Sequence, residues 1–235
     1  LPLFAPFFDG KKHGARPLDS ARREEVLRLA RDTWQFFEEF VNEKTRFLPP
    51  DNVQLEPDRA EAMRTSPTNI GLYLLSLTAA KTLGFIESET FALSVSRTVR
   101  TMEKLDKYEG HLYNWYDLKT LAPLEPRFVS SVDEGNLAAC LLTCAQALRR
   151  ETSGLDMSLR SLPSRLDRLF FSMRFELLYD RADGLFSIGL DPNTGRLTEG
   201  RYDLMASEAL LLSYVTVMSG QAPATPMPSR SCMAQ

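Results

Sequence analysis

RTSPTNIGLYLLSLTAA, residues 64–80, contains a helix start and a helix body that can be read letter by letter. Ser66 carries a side-chain oxygen suited to capping the first free amides, and Pro67 fits a first turn, where no amide partner is required. From there Ile70, Leu72, Tyr73, Leu74, Leu75 and Leu77 run with few polar breaks towards Gly84, which ends the segment. A surface helix buries one apolar stripe. Near-continuous apolarity instead predicts a helix buried on most sides, with other helices packed around it.

The flanking sequence supplies those neighbours. Upstream, Asp19 or Ser20 can cap a helix with Val26, Leu27, Leu29, Ala30, Trp34, Phe37 and Phe40 on one broad apolar face, and Leu48-Pro49-Pro50-Asp51 stops any continuation. Downstream, a more polar helix over about 88–105 should lie on the outside. A fourth opens near Asp133 or Glu134, both favourable beside a helix N-terminus, and runs through Leu137, Ala138, Leu141, Leu142, Ala145 and Leu148, with its exit marked by Gly154. A fifth spans about 157–179 with Pro163 early in it. LFSIGL (185–190) and GRLTEG (195–200) flank a turn at Asp191-Pro192-Asn193-Thr194 and predict a small β-hairpin. The sixth helix runs over about 202–218, ending at Gly220. Helices joined alternately by short turns and long loops predict an all-α domain of stacked antiparallel hairpins, with the long loops gathered at one end. Residues 1–17 are expected to be an N-terminal extension, 18–220 the domain and 221–235 a proline-rich disordered tail.

Composition excludes several classes. The chain has 235 residues, 43% hydrophobic and 25% charged, as in a soluble globular protein, and its net charge is −3. No positive excess marks a nucleic-acid or anionic-membrane partner. No stretch approaches the roughly 20 apolar residues that cross a bilayer, and LPLFAPFFDGKK at the start lacks the order of a signal peptide. The chain starts without Met and is expected to be a piece of a longer product. Cys140 and Cys144 are four apart on a helix, a spacing that suits buried free thiols better than a disulfide or a zinc site and fits a reducing compartment. Neither a metal nor an organic cofactor is indicated.

The segment GHLYNWYD (110–117) follows neither a helical nor an alternating apolar period. It lies in an irregular stretch, 106–131, longer than a compact domain spends on a plain connection. Tyr113, Trp115 and Tyr116 offer flat faces for sugar rings, while Asn114 and Asp117 offer groups for hydroxyls. The same rings also suit a buried loop filling gaps between helices. For His111, a sugar hydroxyl or a backbone partner is favoured over a role as base. Glycosidic-bond chemistry needs two carboxyl groups flanking the scissile bond, and Asp117, Asp133, Glu134, Asp203 and Glu208 are the candidates. Helix caps at Asp133 and Asp203 and an exposed Glu208 are the structural alternatives. Glu208 has Leu204, Met205, Leu211 and Leu212 as helix neighbours, and a carboxyl pointing inward there would be disfavoured as an anion, as a general acid requires.

Residues 64–80, the run MEKLDKYEGHLYNWYDLKTLAPLEPRFVSSVDEGNLAA (102–139), LFSIG (185–189) and YDLMASEA (202–209) together resemble the central, glycoamylase-like region of cyclic β-1,2-glucan synthases, which is related to endo-β-1,2-glucanases. The resemblance implies an (α/α)6 barrel acting on β-1,2-glucan by transglycosylation (cyclisation) or hydrolysis, between a membrane-embedded glycosyltransferase and a phosphorylase-like domain. It implies Glu208 as one catalytic carboxylate. Tyr113, Asn114, Trp115, Tyr116, Asp117, Asp133, Asn136, Tyr202 and Asp203 are the substrate-binding candidates. A cytoplasmic domain of an inner-membrane-associated parent is the implied location. Two departures stand out. The family continues through an HWFRLGR-type segment and further barrel helices where this chain reads SGQAPATPMPSRSCMAQ, so half a barrel with uncovered apolar faces is expected. Glu134 stands where the family usually has a small residue, and either altered binding or helix capping would account for it. A non-catalytic carbohydrate-binding remnant and a helical interaction scaffold are the alternative functions.

Overall fold

The computed structural model describes residues 18–151, 156–201 and 207–223, the last group with side chains from Leu210 onward. Its α-helices are α1 (Ser20–Phe40), α2 (Pro67–Thr82), α3 (Ser88–Lys104), α4 (Ser131–Glu151), α5 (Leu162–Ser172) and α6 (Ser207–Met218). Two starts are as the sequence predicts: Asp19 accepts from Arg22 N at 2.8 Å, and Ser66 Oγ from Asn69 N at 3.1 Å. α4 opens earlier than expected because Ser130 Oγ accepts from Asp133 N at 3.3 Å, which places Asp133 and Glu134 inside the first turn instead of at the cap. The expected fifth helix is broken. Short 3-10 turns at Met157–Leu159 and Phe175–Leu177 flank α5, and Pro163 sits in the first turn of α5, where its missing amide costs nothing. Gly154, the 202–206 start expected for the sixth helix, the 1–17 extension and residues 224–235 of the tail lie outside the described residues.

α2, α4 and α6 form one row, with α4 packed against both of the others. α2 and α4 run parallel: Thr68 meets Asp133 near their starts and Lys81 meets Glu151 at their ends. Gly135 lets α6 approach, since a Cβ there would sit 2.7 Å from Leu212 Cβ. The other helices return the chain on the outside, α3 against α2 and α5 against α4. Ile70, Leu74 and Leu77 from α2, Val95 and Val99 from α3, Leu137, Leu141 and Leu148 from α4, and Leu166 and Phe170 from α5 fill the space between the rows. Each such side chain contributes about 1.5–3 kcal/mol by leaving water. α3 turns Phe91, Val95, Val99 and Met102 inward and leaves Leu93 exposed, the expected outer helix.

α1 departs from its sequence reading. Only its second half docks, through Trp34, Phe40 and the Phe37 ring 5.3 Å from Tyr73, while Val26 and Leu29 are exposed. Among the described residues nothing covers its first turns. α6 likewise exposes Leu210, Tyr214 and Met218, and α2 exposes Leu72.

The remaining chain forms two- and three-residue strands, and these position the site. Arg64–Thr65, just ahead of α2, pairs antiparallel with Tyr116–Asp117. Val129–Ser130, just ahead of α4, pairs with Gly189–Asp191, which also pairs with Arg196–Leu197 across the predicted turn. The irregular segments thus gather at the N-terminal ends of α2 and α4. Cys140 and Cys144 are free and buried, and burial pushes their thiols up to about 11 and about 12, so both stay protonated at neutral pH.

Candidate functional site

Three polar side chains meet where α2 and α4 begin. Thr68 Oγ1 donates to Asp133 Oδ1 at 2.6 Å and accepts from Asn136 Nδ2 at 3.2 Å. All three are half-buried, so the chain Asn136–Thr68–Asp133 is fixed in direction yet reachable from solvent. The neighbouring side chain on α2, Asn69, donates to Asp51 Oδ1 at 3.3 Å, and Asp51 Oδ2 accepts from Arg64 Nη2 at 2.9 Å. The Arg64 guanidinium then lies 4.4 Å from the centroid of the Trp115 ring. Hydroxyl, amide, carboxylate, guanidinium and indole groups therefore occupy one end of the helix row.

GHLYNWYD forms the wall beside them, and its residues divide into braces and surface. Glu109 and Gly110, both at positive φ, make the turn between Lys107–Tyr108 and His111–Leu112. Tyr116 is fully buried, donates its hydroxyl to Asp106 O at 2.6 Å and accepts from Tyr113 N at 2.8 Å. Burial pushes its phenol above the ordinary value. It is a brace, and the expectation that Tyr116 offers a sugar platform is corrected by its lack of any exposed face. Tyr113 is also buried, so the most accessible ring of the segment is that of half-buried Trp115, which has Arg64 over one face. Asp117 Oδ1 accepts from Lys119 N, Thr120 N and Thr120 Oγ1, which holds its carboxyl below the usual range and makes it the closure of a turn. Asn114 N donates to Phe128 O, and Asn114 Oδ1 is buried without a partner.

Glu134 does not cap α4. Its side chain is fully buried and points away from Asp133, into the base of the aromatic loop. Oε1 accepts from Leu112 N at 3.2 Å and Oε2 lies 2.8 Å from His111 Nδ1. Burial pushes the Glu134 carboxyl above its ordinary range, opposed by the bonds from His111 and Leu112. His111 packs edge-on against Phe175, and its Nε2 has no partner in the protein. The partner of Nδ1 is thus a carboxylate and not a backbone group.

Glu208 lies in the first turn of α6, the helix whose Leu212 packs beside Gly135 of α4. Tyr202 and Asp203 lie outside the described residues. Sequence reading missed Thr68, Asp51 and Arg64. Only the hydroxyl and amide of Thr68-Asn69 in the first turn of an otherwise apolar helix signalled the first of these. Among the described residues no group of three His, Cys, Asp or Glu side chains could hold a metal ion, and no helix is long and apolar enough to cross a membrane.

Comparison with known proteins agrees with the motifs quoted above. Residues 28–139 match a family model described as "Protein of unknown function (DUF3131)". Over 126 residues, 54% of this chain, the sequence is 48% identical to cyclic β-(1,2)-glucan synthase NdvB of Rhizobium meliloti, of which this covers 4%. Among solved structures, the endo-β-1,2-glucanase of Chitinophaga pinensis in complex with sophorotriose and glucose superposes with a TM-score of 0.69 at 15% identity, over 88% of this chain and 49% of that one. The β-1,2-glucanase of Parabacteroides distasonis gives 0.67 at 16% identity, over 86% and 28%. The resemblance to cyclic β-1,2-glucan synthases therefore holds, and the fold is an incomplete (α/α)6 barrel with α2, α4 and α6 inside and α1, α3 and α5 outside. The chain spans a small part of its curated relative and about half, or less, of these solved structures.

Proposed function

We propose that this chain supplies part of the substrate face of a β-1,2-glucan-active (α/α)6 catalytic domain, within a larger cyclic β-1,2-glucan synthase. The observation that carries this reading is the directed chain Asn136–Thr68–Asp133 beside Trp115, where α2 and α4 begin. Trp115 stacks on the C–H face of a glucosyl unit, and Asp133 and Asn136 bind its hydroxyls, with Asn114, Tyr202 and Asp203 extending the contact. Tyr113 and Asp117 act through the loop they shape. Glu208 exchanges a proton with the glycosidic oxygen, and a second carboxyl group completes the pair. If a hydroxyl of the same glucan attacks, the product is a ring; if water attacks, the chain is cut. Exclusion of water at the acceptor side selects between them. The identity to a cyclic glucan synthase and the β-1,2 ligands named for the structural neighbours support this substrate. The glycosyltransferase and phosphorylase-like domains of such a synthase, and the rest of the barrel, are the proposed partners, in the cytoplasm.

The test is incubation with linear β-1,2-glucan, following both binding and products. The reading expects binding by the chain, and turnover by the full barrel that Glu208→Gln abolishes without loss of binding. Turnover by Glu208→Gln at the wild-type rate would remove Glu208 from the mechanism. Binding without turnover in any form would favour a carbohydrate-binding remnant, and no binding a helical scaffold.

A further inference from the structure

Successive side chains on a helix point about 100° apart, so three consecutive residues can address three different neighbours. In the first turns of α4 they do. Asp133 reaches α2 through Thr68, Glu134 reaches the aromatic loop through His111 and Leu112, and Gly135 receives Leu212 of α6. The loop itself is tied at two places. Its near end hangs on Glu134. Its far end pairs with the strand ahead of α2, through Tyr116 opposite Thr65 and Leu118 N donating to Met63 O. Trp115 lies in the short span between these ties, and Tyr113 N to Tyr116 Oη braces that span internally.

Resting on the glucan reading above, we propose that Glu134 is a positioning residue: by holding His111 Nδ1 and Leu112 N with its two oxygens, it sets where Trp115 stands relative to Asp133 and Asn136, and so sets affinity for the glucan. Both carboxylate oxygens are used, both bonds are shielded from water, and the residue is joined to Asp133 through one peptide unit. The sugar-stacking group and the hydroxyl-binding groups are thereby referred to a single helical turn. An apolar residue of similar size at 134 would fill the space and strand both donors. A glutamine would not, because its amide oxygen can accept from Leu112 N and its NH2 can donate to Nδ1.

The experiment compares wild type, Glu134→Met and Glu134→Gln by amide exchange across 110–117 and by calorimetric titration with a linear β-1,2-glucan oligosaccharide. Glu134→Met is expected to exchange at least about tenfold faster across 110–117 and to bind the glucan about tenfold more weakly, the scale of losing a hydrogen bond to a charged group. Glu134→Gln is expected to stay within about threefold of wild type in both, the rescue that a positioning role requires. If Glu134→Met does not fold, the His111→Phe/Glu134→Met double variant, which removes the polar groups from both side chains, is read in its place with the same expected losses. Wild-type exchange in the folded Met variant overturns the proposal, as does faster exchange with unchanged glucan affinity. Failure of the wild-type chain to bind the oligosaccharide overturns the glucan reading itself, and with it the positioning role.

Discussion

Glu134 and Glu151 sit on the same helix, about 25 Å apart along its axis, and the chain treats them in opposite ways. Glu134, in the first turn of α4, is fully buried against His111 and Leu112, and burial raises its pKa. Glu151, the last residue of α4, accepts from Ser88 Oγ at 2.7 Å and Lys81 Nζ at 3.2 Å with its side chain 29% exposed, and those bonds lower its pKa. The first end is irregular, fixed by buried polar contacts between elements distant in sequence. The second is closed by an ordinary surface ion pair. Regular helix packing runs between them, so the asymmetry lies in the connections: the segments before α2 and α4 carry the buried polar contacts, and the turn between α2 and α3 only reverses the chain.

The sharpest break of this comparison is truncation at each end. Glu134→Ala leaves two buried donors unpaired and should cost about 3–5 kcal/mol in chemical denaturation, whereas Glu151→Ala should cost less than about 1 kcal/mol. Equal costs would erase the distinction. Next in size is Gly135→Ala, whose Cβ would meet Leu212 Cβ at 2.7 Å. It should destabilise by about 1–3 kcal/mol through overpacking of α6 on α4, and an unchanged midpoint would mean that the two helices do not approach this closely.

Acid and base titration give smaller effects of opposite sign. For Glu134 the folded-state pKa is raised, so its contribution is full below the ordinary carboxylate value of 4.5 and is lost as pH rises through the raised value. For Glu151 the folded-state pKa is lowered, so its contribution is present above 4.5 and is lost as pH falls through the lowered value. Denaturation midpoints across pH should therefore show Glu134→Gln flattening the loss on the rising side and Glu151→Gln flattening it on the acid side. Both variants changing the same limb would contradict the assignment.

Much of the helix framework was legible in the sequence because it rests on local signals. Ser66-Pro67 capped α2, Asp19 capped α1, and the apolar run at 70–77 announced a helix enclosed by others. The broken fifth helix was not legible: Phe175 and Leu177 keep an apolar pattern although Met173 is extended, and periodicity cannot register a single residue leaving helical geometry. Nor was the docking of only half of α1, since an apolar face does not say how far its partner extends. At the site, GHLYNWYD was visible as a segment with no structural period. The roles within it were not, because whether an aromatic braces or presents itself depends on contacts such as Tyr116 with Asp106. Glu134 was the extreme case. A carboxylate in the first turn of a helix reads as a favourable partner of the helix terminus, and only the loop folded over it reveals a buried anchor.

Residue-resolved NMR during titration with a linear β-1,2-glucan oligosaccharide tests the proposed site most directly. The account predicts saturable shifts at Thr68, Trp115, Asp133 and Asn136, with Lys81, Ser88 and Glu151 unmoved. Shifts confined to the Lys81–Glu151 end, or none at millimolar oligosaccharide, would contradict it.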